Sequence, residues 1–498
     1  MRSSQRTCFL ILIIFILLSS FAFGWTEPRR LTDHLYVTNA QATSQNRKIF
    51  LAGWPGPYDF WFLTSWNNGY SWSNPSQPAD TFPRSSEEPD IECTPNGLVH
   101  VLWIGYYGGN SHPQIFHQSS SDDGRHWSNR HPVFSYNGNF LAYPRLATSG
   151  DTLFLVYIDN YHMRFYESFD DGNTWQGRST PDTSAGMDYY PNLLYSQSRL
   201  HLIYELTPDT NTGSLDIFYS KSNNDGQIWS SRIPISTVEN NRPYFYSMDP
   251  SAYADENGHI VVTWYDYKYG TQCDGVMGEI LARVSTDNGD SWLPESRVTH
   301  TQTGWTSSCL ILGNIVYSAW VDFSPLGCDL PKIMLSNSSD WGVNWSNPEV
   351  ITGNGHSIER YPFLLYSIAG YDTFIHCFYD IYDTSYGTDI YYVRSKPFFV
   401  THIPLPPDQR IYLSIKAYPN VFNSSTLISI DNEEGGDMEI EIYNVLGQRI
   451  WNKSVDGKEG TIIWDARDKD GNGISSGTYF VRATTKSNTS IMKLLYLK

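Results

Sequence analysis

The sequence predicts an all-β protein: a β-propeller, with seven blades favoured over six, followed by a small β-sandwich. Three observations predict it: a turn motif that recurs six times, a pair of apolar strands before each copy, and a change of composition after residue 400. An aromatic fraction of 15%, together with 37 Gly and 27 Pro, is typical of many short strands joined by tight turns.

The first 24 residues are predicted to be a signal peptide. Arg2 and Arg6 precede an apolar run from Cys8 to Phe23, and the run ends in a small-x-small sequence that signal peptidase accepts. Without them the chain carries 32 basic and 52 acidic residues. This balance argues against nucleic acid or insertion into an anionic membrane, because both partners need a basic surface.

The repeated turn has the form Ser-x-(Asp/Asn)-x-Gly-x-x-Trp, and successive Trp residues lie 48 to 63 residues apart. That period fits one four-stranded blade per repeat. The Asp or Asn side chain would accept backbone N–H bonds, Gly would take the positive-φ position and Trp would cover the turn. We therefore expect a structural role. The copies begin at Ser65, Ser120, Ser168, Ser222, Ser285 and Ser338.

Two strands precede each turn, and a seventh pair of strands, which ends in Asp389 to Ser395, has no turn motif after it. A Pro-containing outer strand follows each motif. The segment from Trp25 to Thr32 looks like such a strand without its turn. We expect it to supply the outer strand of the last blade, which closes the ring without a free edge and favours seven blades.

A proline-rich linker over residues 401–416 separates residues 25–400 from a second domain at 417–498. Its motifs lie at Tyr418 to Asn423, Ile440 to Gln448, Trp464-Asp465, Ser476 to Tyr479 and Lys493 to Lys498. They resemble the C-terminal sorting domain of type IX secretion substrates, an immunoglobulin-like sandwich. The resemblance implies the type IX machinery as a partner, followed by release or attachment at the outer-membrane surface.

Through its turns, known there as Asp boxes, the propeller resembles the sialidase superfamily. Sialidases carry Arg-Ile-Pro before the first box, three arginines for the substrate carboxylate, and a Tyr nucleophile with a Glu partner. Arg-Ile-Pro is absent here, and the nearest sequences are Tyr143-Pro144-Arg145 and Arg360-Tyr361-Pro362. The resemblance therefore implies the fold rather than the reaction.

The predicted innermost strands share an X-Pro sequence and should line the central channel. Their polar side chains are candidates for one convergent site. The alternative is a packing device repeated in each blade, with Arg145 paired to Glu88 or Asp90. The catalytic candidates are Glu88, Asp90, Arg145, Asp249, Arg360 and Tyr361, with Tyr190 as a ligand-binding candidate.

A second set of acidic residues follows the second strand of five blades and should surround the channel mouth. Such a ring could bind Ca²⁺ or sugar hydroxyls, and no other cofactor or metal site is predicted. Alternatively, each Asp caps its own loop, which repetition in every blade favours. These ligand-binding candidates are Asp159, Glu205, Asp266, Asp322 and Asp380.

Five cysteines follow the signal peptide, and two of them, Cys273 and Cys328, fall in equivalent loops of consecutive blades. A disulfide between them is one expectation for an exported protein, and two free thiols are the other.

Two classes of function remain. The first is a secreted or surface propeller that recognises extracellular glycans without a standard sialidase site. The second is an exo-sialidase-like glycoside hydrolase that acts on sialylated or other extracellular glycans through carboxylates in the channel. An aromatic platform without paired acids would favour recognition, whereas a cluster of three arginines with a Tyr-Glu pair in the channel would favour hydrolysis.

Overall fold

The computed structural model describes residues 24–498 except for short segments, and it divides into two units, Met1–Ile403 and Pro404–Lys498. The segments outside the description are 34, 36, 55–60, 78–85, 107–111, 137, 139, 182–185, 208–214, 238–245, 270–277, 325–330, 353–357, 370–371, 384–386, 399–412, 433–435, 446–447, 458, 470 and 486–488. The predicted signal peptide, apart from residue 24, and most of the predicted linker lie outside it.

The described part of the first unit forms seven antiparallel sheets, which we number as blades 1 to 7. Each innermost strand packs beside that of the next blade, and the last packs beside the first. The ring therefore has seven blades, as the strand pattern favoured.

The strands are given blade by blade from the channel outwards. They are β2 (Thr38–Gln45), β3 (Lys48–Trp54) and β4 (Trp61–Ser65); β5 (Ser86–Cys93), β6 (Val99–Tyr106), β7 (Pro113–Ser120) and β8 (His131–Pro132); β9 (Leu141–Ser149), β10 (Thr152–Asp159), β11 (His162–Ser168) and β12 (Gln176–Gly177); β13 (Met187–Ser196), β14 (Arg199–Thr207), β15 (Asp216–Ser222) and β16 (Ile233–Pro234); β17 (Ser247–Ala254), β18 (Ile260–Asp266), β19 (Glu279–Ser285) and β20 (Ser296–Arg297); β21 (Gly304–Leu312), β22 (Ile315–Asp322), β23 (Lys332–Ser338) and β24 (Glu349–Val350); and β25 (Ile358–Ala369), β26 (Asp372–Asp383), β27 (Gly387–Arg394) and β1 (Arg29–Arg30).

The N-terminal strand closes the ring, which confirms the prediction for residues 25–32. Strand β1 pairs antiparallel with β27, so that Arg29 lies opposite Tyr392. On either side of β1, Thr26 N–H donates to the Arg394 carbonyl at 2.8 Å and Leu31 N–H donates to the Ile390 carbonyl at 2.9 Å. The outer edge of blade 7 is thus covered by the opposite end of the propeller sequence.

All six Asp boxes form the predicted turn. In the box at Ser338, the Gly342 N–H donates to Ser338 Oγ at 2.8 Å, and the Asn344 N–H donates to Asp340 Oδ1 at 2.8 Å. Asn67 and Asn224 accept the equivalent backbone bond through Oδ1 at 2.8 and 2.9 Å, so the turn needs an oxygen acceptor rather than a charge. Each box Gly has φ between 73° and 85°.

Five box glycines also serve the packing between blades. In each case a ring from the third strand of the preceding blade lies where a Cβ would be, and we call these rings wedge residues. For example, a Cβ on Gly289 would lie 1.8 Å from Tyr219 Oη, and Trp292 of the same box packs on Tyr219 with ring centroids 5.0 Å apart. The wedge residues are Phe62, His117, Phe165, Tyr219 and Tyr392.

The second unit is a sandwich of two antiparallel sheets. One has the order β28-β29-β32 and the other β31-β30-β33-β34. Its own core includes Ile428, Ile440, Trp464 and Val481, all buried. The strands are β28 (Leu413–Tyr418), β29 (Thr426–Asn432), β30 (Asp437–Asn444), β31 (Arg449–Asp456), β32 (Glu459–Trp464), β33 (Gly477–Thr484) and β34 (Thr489–Tyr496). Within the described residues, no helix is long and apolar enough to cross a membrane.

Candidate functional site

The innermost strands do not run straight through their blades. Each has a register shift near its start, where extra residues bulge out of the pairing with the second strand. In six blades the bulge holds a non-glycine residue with a left-handed φ between 32° and 52°, namely Glu88, Tyr143, Tyr190, Asp249, Thr306 and Tyr361. Pro follows five of them, and a bulge tolerates Pro because no ladder bond from its nitrogen is needed.

These bulge residues line one cavity of about 270 Å³ at the propeller axis. Each left-handed residue costs about 1–3 kcal/mol, and such strained positions cluster where function requires them. The cavity therefore brings together five of the predicted residues, Glu88, Arg145, Tyr190, Asp249 and Tyr361, and adds Tyr143 and Thr306.

Asp249 and Glu205 form an acidic pair beside the cavity. The Asp249 N–H donates to Glu205 Oε1, and Glu205 is buried on β14 with 1% of its surface exposed. Burial raises the pKa of Asp249 to about 6. Burial, reinforced by the charge of Asp249, raises the pKa of Glu205 well above its usual range. The pair can therefore hold a proton at mildly acidic pH.

Tyrosines enclose this pair. Tyr143 and Tyr190 lie with ring centroids 4.4 Å apart, and their hydroxyls are hydrogen-bonded to each other. Tyr361, with 36% of its surface exposed, packs on Trp305 at 5.5 Å. Burial raises the pKa of Tyr143, Tyr190 and Tyr361, so all three keep their protons and act as hydrogen-bond donors at neutral pH.

Two carboxylates of blade 2 bind the backbone of blade 3. Glu88 accepts the N–H of Tyr143, and Asp90 Oδ2 accepts the N–H of Leu146 at 2.6 Å. Asp90 is buried and lies outside the cavity at the propeller axis. The positive charge of Arg145 favours the ionised form of Asp90, although burial raises the pKa of Asp90 overall. Asp90 is thus a contact between blades, whereas Glu88 reaches the cavity as well.

Arg360 is also absent from the cavity wall. Its guanidinium carbon lies 5.1 Å from the centre of the Tyr382 ring. Arg145 does line the cavity, and its Nη1 donates to the carbonyl of Pro144 at 2.8 Å. The three arginines of a sialidase site therefore have no counterpart among the described residues of this cavity.

Local hydrogen bonds engage several members of the second predicted acidic set. Asp159 accepts bonds from Tyr136 Oη at 2.7 Å and Arg164 Nε at 3.2 Å. Asp266 accepts the N–H of Lys268 at 2.8 Å, and Asp322 accepts the N–H of Ser324 at 2.7 Å. The loop-capping alternative describes Asp266 and Asp322. Asp380 is buried opposite Arg360 in the β25–β26 pairing, and only Glu205 adjoins the cavity acids.

The predicted disulfide between Cys273 and Cys328 falls outside the described residues. Cys93, Cys309 and Cys377 are free thiols. The described part of the chain contains no group of three or more His, Cys, Asp or Glu side chains placed to hold a metal ion.

Tyr143 and Thr306 were not among the sequence candidates. Tyr143 carried a usable signal, because it precedes Pro144 in the same way that Glu88, Tyr190 and Asp249 precede their prolines. Thr306 is followed by Ser307, so its blade lacks the X-Pro sequence, and only the backbone geometry identifies it.

Residues 416–497 match the family described as secretion system C-terminal sorting domain. This match confirms the predicted sorting domain. The sorting domain indicates a protein that is secreted or displayed at the cell surface. No curated protein matches the chain.

Similar solved structures cover the propeller. An ulvan lyase, described as a new family of polysaccharide lyase, is 12% identical over 74% of this chain and 94% of its own, with a TM-score of 0.52. The polysaccharide lyase Uly1 is 10% identical over 72% of this chain and 89% of its own, with a TM-score of 0.50. An α-L-arabinofuranosidase from Fusarium graminearum is 11% identical over 74% and 98%, with a TM-score of 0.45. At these identities the first two similarities show a shared fold alone.

Proposed function

We propose that the first unit is a glycoside hydrolase that cleaves extracellular polysaccharide at the channel mouth. The observation that carries this proposal is Asp249, a carboxyl group with a pKa of about 6 in a cavity that also contains Glu88. A carboxylic acid with a raised pKa can protonate a leaving glycosidic oxygen, and a second carboxylate can assist the attacking water.

The ring order supports this division of roles. Asp249 lies on blade 5 and Glu88 on blade 2, with two blades between them on one side and three on the other. The two side chains therefore approach the cavity from opposite walls, as acid and base must when they flank a sugar ring. In the proposed reaction, Asp249 gives its proton to the leaving oxygen while water attacks the anomeric carbon and loses a proton to Glu88.

The tyrosines favour this chemistry over two others. A sialidase-like reaction needs a Tyr nucleophile, and a tyrosine-driven elimination, as one route for a lyase, needs a Tyr base. Both remove the phenolic proton, which a raised pKa makes harder, and burial raises the pKa of Tyr143, Tyr190 and Tyr361. As donors, these hydroxyls can bind sugar hydroxyls, and the rings can stack on sugar faces.

The test is hydrolysis of a fluorogenic panel of neutral glycosides, glucuronides and sialosides by the purified chain. Asp249→Asn should lower kcat at least 100-fold, because it keeps the shape and removes the proton donor. Asp159→Asn is the matched control, since this carboxylate lies outside the cavity, and it should retain turnover. Glycan binding with no turnover by the unaltered protein would instead make the unit a recognition propeller, which the Tyr143–Tyr190 pair would also suit.

A further inference from the structure

The charges around the cavity are unbalanced. Glu88 and Asp249 line it, and Glu205, whose raised pKa favours the neutral acid, lies directly behind Asp249. Arg145 is the single basic residue among the described residues of the lining. Its Nη1 donates to the Pro144 carbonyl, and its charge also acts on the carboxyl group of Asp90. The whole chain has a formal charge of −18, so the surroundings add to this negative field.

Among the described residues, an anionic sugar would meet two carboxyl groups of the lining, Glu88 and Asp249, against the one guanidinium of Arg145. Recognition of a carboxylate or sulfate normally uses an arginine with a free donor edge or a cluster of basic groups. Here the remaining groups of the lining are phenols, hydroxyls, an amide and apolar rings: Tyr143, Tyr190, Tyr361, Thr306, Ser307, Gln41, Asn192 and Phe363. These groups suit the hydroxyls and C–H faces of an uncharged sugar.

We infer that the channel mouth selects glycans that carry no carboxylate or sulfate and rejects uronate, sialate and sulfated chains. The inference rests on the proposed function for the identity of the site, but the selection it describes concerns binding and can be measured without turnover. It separates this propeller from the chemistry of the sialidases that it resembles in fold, because a sialoside brings a carboxylate to the reacting ring.

The experiment is affinity gel electrophoresis of the full chain against neutral polymers (arabinan, xylan and galactan) and anionic polymers (polygalacturonate and alginate), at low and high NaCl. The unaltered protein should bind at least one neutral polymer about tenfold more tightly than any anionic one. In Glu88→Gln/Asp249→Asn, two negative charges are removed at nearly constant shape. Binding of anionic polymers should then improve roughly tenfold, and salt should reduce that difference.

The control variant is Asp437→Asn/Asp456→Asn, which removes the same charge from two exposed, directly opposed residues of the second unit. It should leave the preference unchanged. Tighter binding of an anionic polymer by the unaltered chain would overturn the inference, while Asp249-dependent turnover would still support the hydrolase. Equal gains in the channel variant and the control would assign the preference to net charge and also overturn it. Binding of neither class, without turnover on the glycoside panel, would overturn the inference and the proposed function together.

Discussion

Asp249 combines three unfavourable features: a left-handed backbone, a half-buried carboxyl group and an acidic neighbour in Glu205. A residue that is costly in three respects is best explained by the chemistry that it performs, because functional sites retain strain that the rest of the structure offsets.

The same residue links pH to both activity and stability. Its pKa is raised to about 6, so the protonated form needed by a proton donor is lost as pH rises above 6. The raised pKa also means that the folded protein prefers the neutral carboxyl, and the stability associated with that preference disappears as pH rises from about 4 through 6.

We therefore expect Asp249→Asn to be inactive yet more stable than the unaltered protein at pH 8, by about 2 kcal/mol, and close to it in stability at pH 4. Chemical denaturation at the two pH values measures the difference. Glu441→Gln, in the second unit, is a contrasting variant, because arginines hold the pKa of Glu441 below its usual range and its loss should destabilise that unit at pH 8. Equal stability of Asp249→Asn and the unaltered protein at pH 8 would show that the carboxyl group carries no burial penalty.

At the scale of the strand and turn, the glycine of the Asp box has two structural roles. The turn requires a left-handed φ, which Gly adopts without strain, and the wedge residue of the preceding blade requires that no Cβ be present. Such a box therefore ends a hairpin of its own blade and also accommodates the wedge residue of the preceding blade.

Two glycines allow the backbone requirement to be measured apart from the packing requirement. Gly289 (φ 75°) faces Tyr219, whereas Gly150 (φ 58°) lies in the β9–β10 turn, where a Cβ would meet nothing within 4 Å. Gly150→Ala should cost about 1 kcal/mol, for the backbone alone. Gly289→Ala should cost about 3 kcal/mol or more, because Tyr219 must also move. Denaturant titration measures both free energies of unfolding, and similar costs would show that the wedge contact contributes nothing.

The elements also show where sequence patterns succeed. The box motif and the paired apolar strands predicted the hairpins and the closing strand, because both are local patterns tied to turn chemistry and alternation. The left-handed bulges could not be predicted in this way, since the residue before Pro normally favours extended backbone. The bulges are held by hydrogen bonds to residues about 45 to 55 positions away in sequence, such as those from Tyr143 N–H to Glu88 and from Asp249 N–H to Glu205.

On the scale of the whole molecule, radial repetition explains why one channel can contain a site. Six of the seven blades deliver a left-handed bulge residue to the axis, so six positions meet although they are far apart in sequence. The repeat itself needs only a bulge at each position and leaves its side chain open. Acid, tyrosine or threonine can therefore occupy the equivalent places, and this explains why the X-Pro pattern located the cavity while leaving the role of each residue undecided.

The ring also depends on its two ends meeting, and this can be tested by removing one of them. Residues 25–33 supply β1, and Asp389 of β27 is buried against Arg30 and Thr32, with Thr32 Oγ1 at 2.8 Å. Deleting the segment leaves an open strand edge and a carboxylate without these partners. We expect the propeller to lose about 3 kcal/mol, since leaving the buried carboxylate of Asp389 without these partners costs about 1–3 kcal/mol and each lost backbone hydrogen bond about 1 kcal/mol.

Scanning calorimetry of the deletion variant should show a lower melting temperature for the propeller and, because an exposed edge strand invites pairing, association that increases with concentration. A synthetic peptide of residues 25–33 should restore part of the lost stability. Removal of residues 404–498 is the control, because that unit has its own core, and the propeller transition should persist. If the deletion of 25–33 left the propeller transition unchanged and the protein monomeric, the inner strands alone would hold the ring closed. The N-terminal strand would then cover the edge of blade 7 without stabilising the ring.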